Sequence, residues 1–469
     1  MRTDVVIIGA GTAGLAAARE VSKQTADFLL IDPGPLGTTC ARVGCMPSKL
    51  LIEAANAYHR RLSFESFGIR HADRLDVDIA AVMKRVRDLR DFFVDSTLEA
   101  TQRFSKQLLR EKACLLGPNR IEAGDKIIDC QKIIVATGSR PIVPESWQDF
   151  SEHILTSDNL FDQRGFAESV AVIGLGAIGL EIAQALSRLG INVTAFGTDE
   201  RLAGLSDNAV NQALLTSLQA EFVLKLGEEA DLEKSAKGIQ VTAGDFSGEF
   251  EQVIAAIGRQ PNLDNIGLEN LDIKLDEQGL PAVNSQTLQI EDLPVFIAGD
   301  VRADTMLLHE AADDGRIAGH NAVAQSVSSY CRRIPLAVVF CEPEVAIVGQ
   351  RAEALEPQAF VAGEVDFSNQ GRARAAQTNA GYLKVYADKQ SGKLLGAEMA
   401  APAAGHLAHL LALAIQQELT TTQLLSMPIY HPVLEEGLRT ALRDLQSKVS
   451  KNGGFDLSRC EAMNAEALD

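Results

Sequence analysis

The sequence predicts an α/β protein built on two Rossmann-like dinucleotide-binding units, and three observations carry the prediction. The glycine runs Gly9-Ala10-Gly11-Thr12-Ala13-Gly14 and Gly174-Leu175-Gly176-Ala177-Ile178-Gly179 each stand between an apolar, strand-like run and a run of helix formers. The two runs begin 165 residues apart, so the unit recurs. At 469 residues the chain is also too long for one hydrophobic core, and roughly three or four domains are expected.

In the first unit, Asp4-Val5-Val6-Ile7-Ile8 reads as a buried strand and Leu15-Ala16-Ala17-Ala18-Arg19-Glu20 as a helix. Gly9 permits the tight turn, Gly11 lets the backbone approach a pyrophosphate, and Gly14 lets helix and strand pack closely. Asp32 follows Gly14 by eighteen residues, at the end of Phe28-Leu29-Leu30-Ile31, where a carboxylate accepts hydrogen bonds from ribose hydroxyls. Glycines alone are weak evidence. Strand, glycines, helix, strand and acid in that order are strong evidence.

The second unit has the strand Ser169-Val170-Ala171-Val172-Ile173 and the helix Leu180-Glu181-Ile182-Ala183-Gln184-Ala185-Leu186, but not the acid. Eighteen residues after Gly179 stands Gly197, in Val193-Thr194-Ala195-Phe196-Gly197-Thr198-Asp199-Glu200-Arg201. The fold assignment survives, but the choice between NAD and NADP does not follow. Asp199 or Glu200 replaces the acid, Arg201 reaches a 2′-phosphate, or the loop is merely solvated; the sequence leaves these open.

Between the units lies Gly37-Thr38-Thr39-Cys40-Ala41-Arg42-Val43-Gly44-Cys45-Met46-Pro47-Ser48-Lys49. Gly44 lets the chain turn between the cysteines, and Pro47 suits a first helical turn, where its missing N–H would be unpaired anyway. Cys45 then falls near a helix N-terminus, whose dipole favours a thiolate. The other five cysteines are scattered. A redox-active pair beside the first of two dinucleotide sites implies a two-electron relay between nicotinamide, flavin and disulfide, in either direction.

The net charge of −19 argues against nucleic-acid binding, which needs a basic surface. No apolar run approaches the roughly 20 residues of a membrane-spanning helix. Leu407-Ala408-His409-Leu410-Leu411-Ala412-Leu413-Ala414-Ile415 reads instead as a buried helix. The chain enters a strand at once, so no secretory leader is expected. Seven cysteines in so long a chain make no disulfide scaffold, which points to the cytoplasm. From Lys49 to about Lys106 helical periodicity dominates, with Val82, Val86, Leu89, Phe92 and Phe93 as a core stripe. The tail from Ser447, with Lys451-Asn452-Gly453-Gly454, reads as weakly structured, and no metal-ligand cluster is visible.

From about residue 3 to about residue 447 these motifs closely resemble the flavin-dependent pyridine nucleotide–disulfide oxidoreductases, the dihydrolipoamide dehydrogenases most of all. Ile133-Ile134-Val135-Ala136-Thr137-Gly138-Ser139-Arg140-Pro141 resembles the exit from the flavin domain. Ala256-Ile257-Gly258-Arg259-Gln260-Pro261-Asn262 resembles the return from the nicotinamide domain. Val295-Phe296-Ile297-Ala298-Gly299-Asp300 resembles the second flavin-binding strand, and Met306-Leu307-Leu308-His309-Glu310-Ala311 the helix start against the flavin ring.

The resemblance implies FAD on Gly9, Gly11, Gly14, Asp32, Lys49, Thr137, Gly138, Asp300, Met306, Leu307 and His309, and NAD, with NADP left open, on Gly174, Gly176, Gly179 and Gly258. Lys49 and Glu181 match positions that pair beside the flavin, where they tune it or form an ordinary salt bridge. It implies the segments 1–147 (FAD), 148–263 (NAD(P)), 264–335 (return to the FAD side) and 336–469, an α+β dimerisation domain. In that last segment His431, with Glu436 five residues on, is implied as the acid–base pair of the partner subunit's active site, in an obligate homodimer. A histidine near pKa 6.5 suits thiol protons, and a carboxylate on its other nitrogen fixes the tautomer.

The implied chemistry passes electrons between a small dithiol, dihydrolipoamide first of all, and NAD(P). The thiolate attacks Cys40, and Cys45, nearer the flavin, leaves. A lipoyl-bearing protein is the implied larger partner. Ala41-Arg42, Tyr430, Val433, Glu435, His406 and Gly197 depart from the usual pattern and keep a glutathione-reductase-like enzyme open as the alternative. Arg42 either binds an anionic thiol or is a surface residue. A flavin-binding partner protein without turnover is the other class, disfavoured because both cysteines, the histidine and the glutamate are kept together. A lone Cys460 near the C-terminus sets aside relatives that need a second cysteine pair there.

Overall fold

Alternation of β-branched runs with alanine- and leucine-rich helices builds parallel sheet, because each crossover helix returns the chain to the end of the sheet from which the previous strand started. The computed structural model describes residues 1–236, 238–450 and 457, and contains two compact units. The first comprises Met1–Ala54, Asp76–Ala167 and Gln252–Arg332, and the second Ala55–Leu75, Glu168–Glu251 and Arg333–Asp469. Lys451 to Gly454 and Cys460 lie outside the described residues.

The first unit is built on a seven-stranded sheet. Its parallel part runs Leu108–Leu109, Phe28–Ile31, Arg2–Ile8, Lys126–Val135 and Val295–Ile297. Arg120–Ala123 and Ala113–Gly117 extend it in antiparallel order. Val5, Val6, Ile7 and Ile8 are all buried, as expected of a strand covered on both faces. The helix Thr12–Val21 packs along Leu308–Val323 with almost no gap. A Cβ on Gly315 would lie 2.1 Å from the Ala13 carbonyl oxygen, so small residues set that spacing.

The predicted exit and return segments meet. Ser139–Pro141 pairs antiparallel with Arg259–Pro261, in the register Ser139 to Pro261. Thr137 Oγ1 donates to the Asn262 carbonyl at 2.7 Å, and Arg259 binds the Ser139 hydroxyl and carbonyl at 2.9 and 2.8 Å.

In the second unit, Val223–Leu226, Asn192–Gly197 and Ser169–Ile173 form parallel sheet beside the helix Ala177–Arg188. Asp231–Lys234, Ile239–Ala243 and Phe246–Phe250 form an antiparallel meander. The C-terminal part is a five-stranded antiparallel sheet in the order Leu336–Val339, Glu344–Gly349, Leu394–Ala401, Tyr382–Asp388, Phe360–Asp366. Its core takes in Leu407, Leu411, Leu438, Leu442 and Leu445 from the helices Ala404–Gln416 and Glu435–Lys448.

Four expectations are corrected. The helix Ala404–Gln416 is buried on one face only; His406, His409 and Leu413 point outward, because helical period puts them opposite Leu407 and Leu411. Phe92 is 63% exposed and so leaves the core stripe. The last helix continues through Lys448, past the expected break at Ser447. Residues 60–75 are short 3₁₀ turns rather than regular helix.

Candidate active site

The cysteine run folds locally as its residues suggest. Thr38 caps the short helix Thr39–Val43, accepting from Ala41 N at 3.3 Å, and the helix Cys45–His59 starts at the second cysteine. Cys40 therefore ends up half-buried inside one helix and Cys45 exposed at the start of the next. The two lie close enough for the Cys40 thiol to hydrogen-bond to Cys45. That bond, then burial, then the charge on Cys45 push the Cys40 thiol well above the ordinary cysteine range. The Lys49 ammonium acts in the opposite direction.

Lys49 is held near the pair by a short chain: its Nζ donates to Ser48 Oγ at 3.3 Å, and Ser48 Oγ donates to the Cys45 carbonyl at 3.1 Å. Arg42 is engaged with its own loop. Its Nη1 donates to the Pro35 carbonyl at 3.3 Å and its stem lies over Gly37, so it ties down the preceding loop.

The residues present fit a dinucleotide at the first fingerprint. A Cβ on Gly9 would lie 2.2 Å from the Ala136 carbonyl oxygen, and one on Gly14 1.8 Å from the Gly9 carbonyl oxygen, so both are close-packing glycines. A Cβ on Gly11 would meet nothing within 4 Å. Gly11 is the N-cap of the helix Thr12–Val21, which has no side-chain cap, so its first N–H groups face that open space. Asp32 accepts from Ala10 N and Gly34 N, both at 2.6 Å. Asp300 accepts from the Ser139 hydroxyl at 2.9 Å, while Gly138 has open space at its Cβ position. Within the run Met306 to Ala311, Leu307 caps a helix that begins at Leu308, and His309 is exposed in its first turn.

The second fingerprint repeats the geometry. Gly174 N donates to Phe196 O at 2.8 Å just as Gly9 N donates to Ile31 O at 2.8 Å, so Gly197 occupies the place of Asp32. Gly176 caps the helix Ala177–Arg188 without a side-chain cap, and a Cβ there meets nothing within 4 Å. Gly179 is buried in that helix. Gly258 opens the return ribbon at φ +120°. Glu181, Gln184 and Arg188 share one buried face of the same helix. Glu181 accepts from Phe340 N at 3.0 Å, Gln184 pairs with both Glu342 N and its carbonyl, and Arg188 forks onto Glu221 and reaches Glu342.

Near the C-terminus the expected pair forms. His431 Nδ1 lies 3.1 Å from both oxygens of Glu436, and the ring is 79% exposed. Glu436 also receives Arg439 Nη2 at 2.7 Å and Val433 N at 3.4 Å. The bond to His431, ahead of the Val433 N–H and Arg439, holds its carboxyl below the usual range. Sequence reasoning missed the supports. Arg439 carries a signal, a cation three residues after the glutamate on one helix face. Buried Gln370, whose Nε2 donates to the Val433 carbonyl at 2.7 Å, carries none. The cysteines belong to the first unit and His431 with Glu436 to the second.

Residues 3–315 match the family described as pyridine nucleotide–disulphide oxidoreductase, and residues 334–442 match the dimerisation domain of the same family. A dihydrolipoyl dehydrogenase of Halobacterium salinarum is 30% identical over 460 residues, covering 94% of this chain and 95% of its own. One from Thermus scotoductus is 30% identical over 461 residues, covering 95% and 98%. The crystal structure of LpdA from Mycobacterium tuberculosis is 25% identical with a TM-score of 0.82, over 94% of this chain and 99% of that one. The HOCl-induced flavoprotein disulfide reductase RclA of Escherichia coli, as its Cu(II) complex, has the same fold, with a TM-score of 0.82 at 20% identity, over 94% and 99%. Among the described residues no helix is long and apolar enough to cross a membrane.

Proposed function

Because the chain belongs to the pyridine nucleotide–disulphide oxidoreductases, and so is a FAD-dependent disulfide oxidoreductase, we propose that its own substrate is a small dithiol, dihydrolipoamide, oxidised with NAD through Cys40 and Cys45. The hydrogen bond between His431 and Glu436 carries this reading. With Nδ1 held by the carboxylate, Nε2 is the nitrogen left to take a thiol proton.

The steps follow from these side chains. His431 of one subunit serves the cysteine pair of the other. Its Nε2 takes the proton of the first substrate thiol, and Glu436 supports the imidazolium. The thiolate attacks Cys40 Sγ, the S–S bond breaks, and Cys45 leaves as a thiolate. The second substrate thiol then attacks the substrate sulfur bound to Cys40, giving up its proton to His431 as His431 passes the first proton to the departing Cys40 sulfur. Cys40 ends as a thiol, matching the direction in which it is pushed. The substrate ends as a disulfide, and the cysteine pair as thiol and thiolate, with the remaining proton on His431. FAD, which Gly9, Gly11, Gly14 and Asp32 would hold, would supply a two-electron carrier between the cysteine pair and the nucleotide.

The same reading assigns residues 1–147 to FAD, 148–263 to the nucleotide, 264–335 to the return and 336–469 to the dimer. The ribbon of Ser139–Pro141 and Arg259–Pro261 supports it at the two crossings. Exposed Leu413 and Tyr430 support a homodimer, cysteine usage a cytoplasmic setting, and the relatives a lipoyl-bearing partner. His431→Ala should slow anaerobic flavin reduction by dihydrolipoamide by about 10²–10⁴-fold while leaving reduction by NADH within about twofold. Stopped-flow absorbance reads both half-reactions, and equal slowing of the two removes His431 from the role of thiol base.

A further inference from the structure

The loop after the second unit's middle strand lacks the carboxylate that ties the first unit together. Its tie is backbone: Ala203 N donates to Leu175 O at 3.2 Å, inside the fingerprint. Ala203 makes that bond from φ +54°, and Gly204 follows at φ +71°. A left-handed alanine is strained, on the order of 1 kcal/mol, and persists only where its surroundings over-determine it. Asn211 steadies the middle of the loop, accepting from Leu202 N at 2.9 Å and donating to Glu200 O at 3.1 Å.

The far end is held by Glu398, a fully buried residue on the strand Leu394–Ala401 of the C-terminal sheet. Its carboxylate accepts from Ser206 N at 2.6 Å, from the Ser206 hydroxyl at 2.5 Å and from Asp207 N at 3.2 Å. Ala352 N and the Tyr386 hydroxyl complete the set, each at 3.4 Å. Burial and Glu398 push the Tyr386 hydroxyl up, so it stays a proton donor. Asp207, the cap of the next helix, is held in turn by Lys384 at 2.9 Å. A buried carboxylate is tolerated only when its acceptor capacity is filled, and here most of the filling comes from this one loop.

We infer that Glu398 is a positioning residue for pyridine nucleotide binding: from the C-terminal sheet it holds the Thr198–Asp207 loop, and through the Ala203–Leu175 bond the second fingerprint. The inference rests on the reading that this fingerprint binds the nucleotide. It places a determinant of nucleotide affinity in the domain that the family match assigns to dimerisation.

The test uses the FAD-loaded full-length protein. NAD binding to the oxidised protein is measured by calorimetry, and flavin reduction by dithiothreitol, a step that needs no nucleotide, by stopped flow. Glu398→Gln should weaken NAD binding about tenfold, the loss of roughly one hydrogen bond to a charged group, with the dithiothreitol rate within about twofold. Ser206→Ala should weaken it about threefold, and carries the test alone if Glu398→Gln does not fold. Unchanged NAD affinity in the folded variants overturns the inference. So does equal loss in both measurements, which makes Glu398 a support of the fold at large. If the wild-type protein binds neither NAD nor NADP, or Gly176→Val binds as the wild type does, the nucleotide reading itself has failed and takes the inference with it.

Discussion

The two fingerprints share one backbone and differ in what closes it. In the first, the Asp32 side chain reaches back from the strand end to Ala10 N and forward to Gly34 N. In the second, Gly197 stands at the same register, Leu175 packs over it, and a ten-residue loop, 198–207, does the closing from Ala203. A glycine fingerprint therefore specifies the turn and the helix start, but not the means by which the turn is held. The first solution is local and self-contained. The second depends on Glu398, nearly two hundred residues away in sequence.

The comparison breaks most visibly at the packing glycines. Gly14→Ala puts a methyl 1.8 Å from a carbonyl oxygen, and more than about 3 kcal/mol of stability should be lost, with little FAD retained. Gly11→Ala and Gly176→Ala add a methyl to open space, so melting should barely shift while FAD content falls in one and NAD affinity in the other. Thermal unfolding and flavin absorbance separate the two kinds of glycine. If Gly14→Ala keeps its flavin and its melting temperature, close packing is not what that glycine serves.

Asp32→Ala should cost about 2 kcal/mol, since two backbone donors at 2.6 Å lose a charged acceptor. Urea unfolding measures it, and a cost below about 0.5 kcal/mol would make the side-chain closure incidental.

The reverse change, Gly197→Asp, restores the acid to the second unit. Its Cβ comes within 3.1 Å of Leu175 Cδ1 and 3.3 Å of Leu226 Cδ2, the flexible ends of two leucines that can yield by a few tenths of an ångström. Discrimination for NADH over NADPH should rise about tenfold, because a carboxylate there bonds a ribose hydroxyl and repels a 2′-phosphate. A ratio of specificity constants unmoved by the substitution would mean that position 197 does not face the ribose.

The smallest effect is expected at Asp199. Its carboxylate accepts from Arg201 N at 2.9 Å within an exposed turn, so Asp199→Ala should change NAD affinity by less than about twofold. A larger loss in titration would show that Asp199 has taken over from the missing acid.

Much of this was legible in the chain as written. The fingerprints and the helix that begins at Cys45 were readable because each is a short-range pattern, while the His431–Glu436 pair came through the family resemblance. Strand, turn and helix start follow from backbone preferences within about twenty residues. The exit and return segments were readable only by resemblance, since nothing local says that Pro261 will pair with Ser139. At Arg42 and Gly197 the sequence left choices open, and the neighbours that bear on them, the Pro35 carbonyl and Leu175, come from tertiary contact rather than from a local pattern. Phe92 misled because an apolar stripe wider than its contact leaves one ring outside.

By itself, then, the amino-acid order determined the turns that cradle phosphates, the helix start that exposes Cys45 and the spacing that lets a carboxylate reach a ring nitrogen. Tertiary structure alone decided that Gly315 meets Ala13, that Gln370 holds Val433 and that Glu398 fills the nest at Ser206. The physical reason is range. Backbone geometry is set by adjacent residues, whereas a buried carboxylate or a missing side chain acquires its meaning only from groups that folding brings beside it.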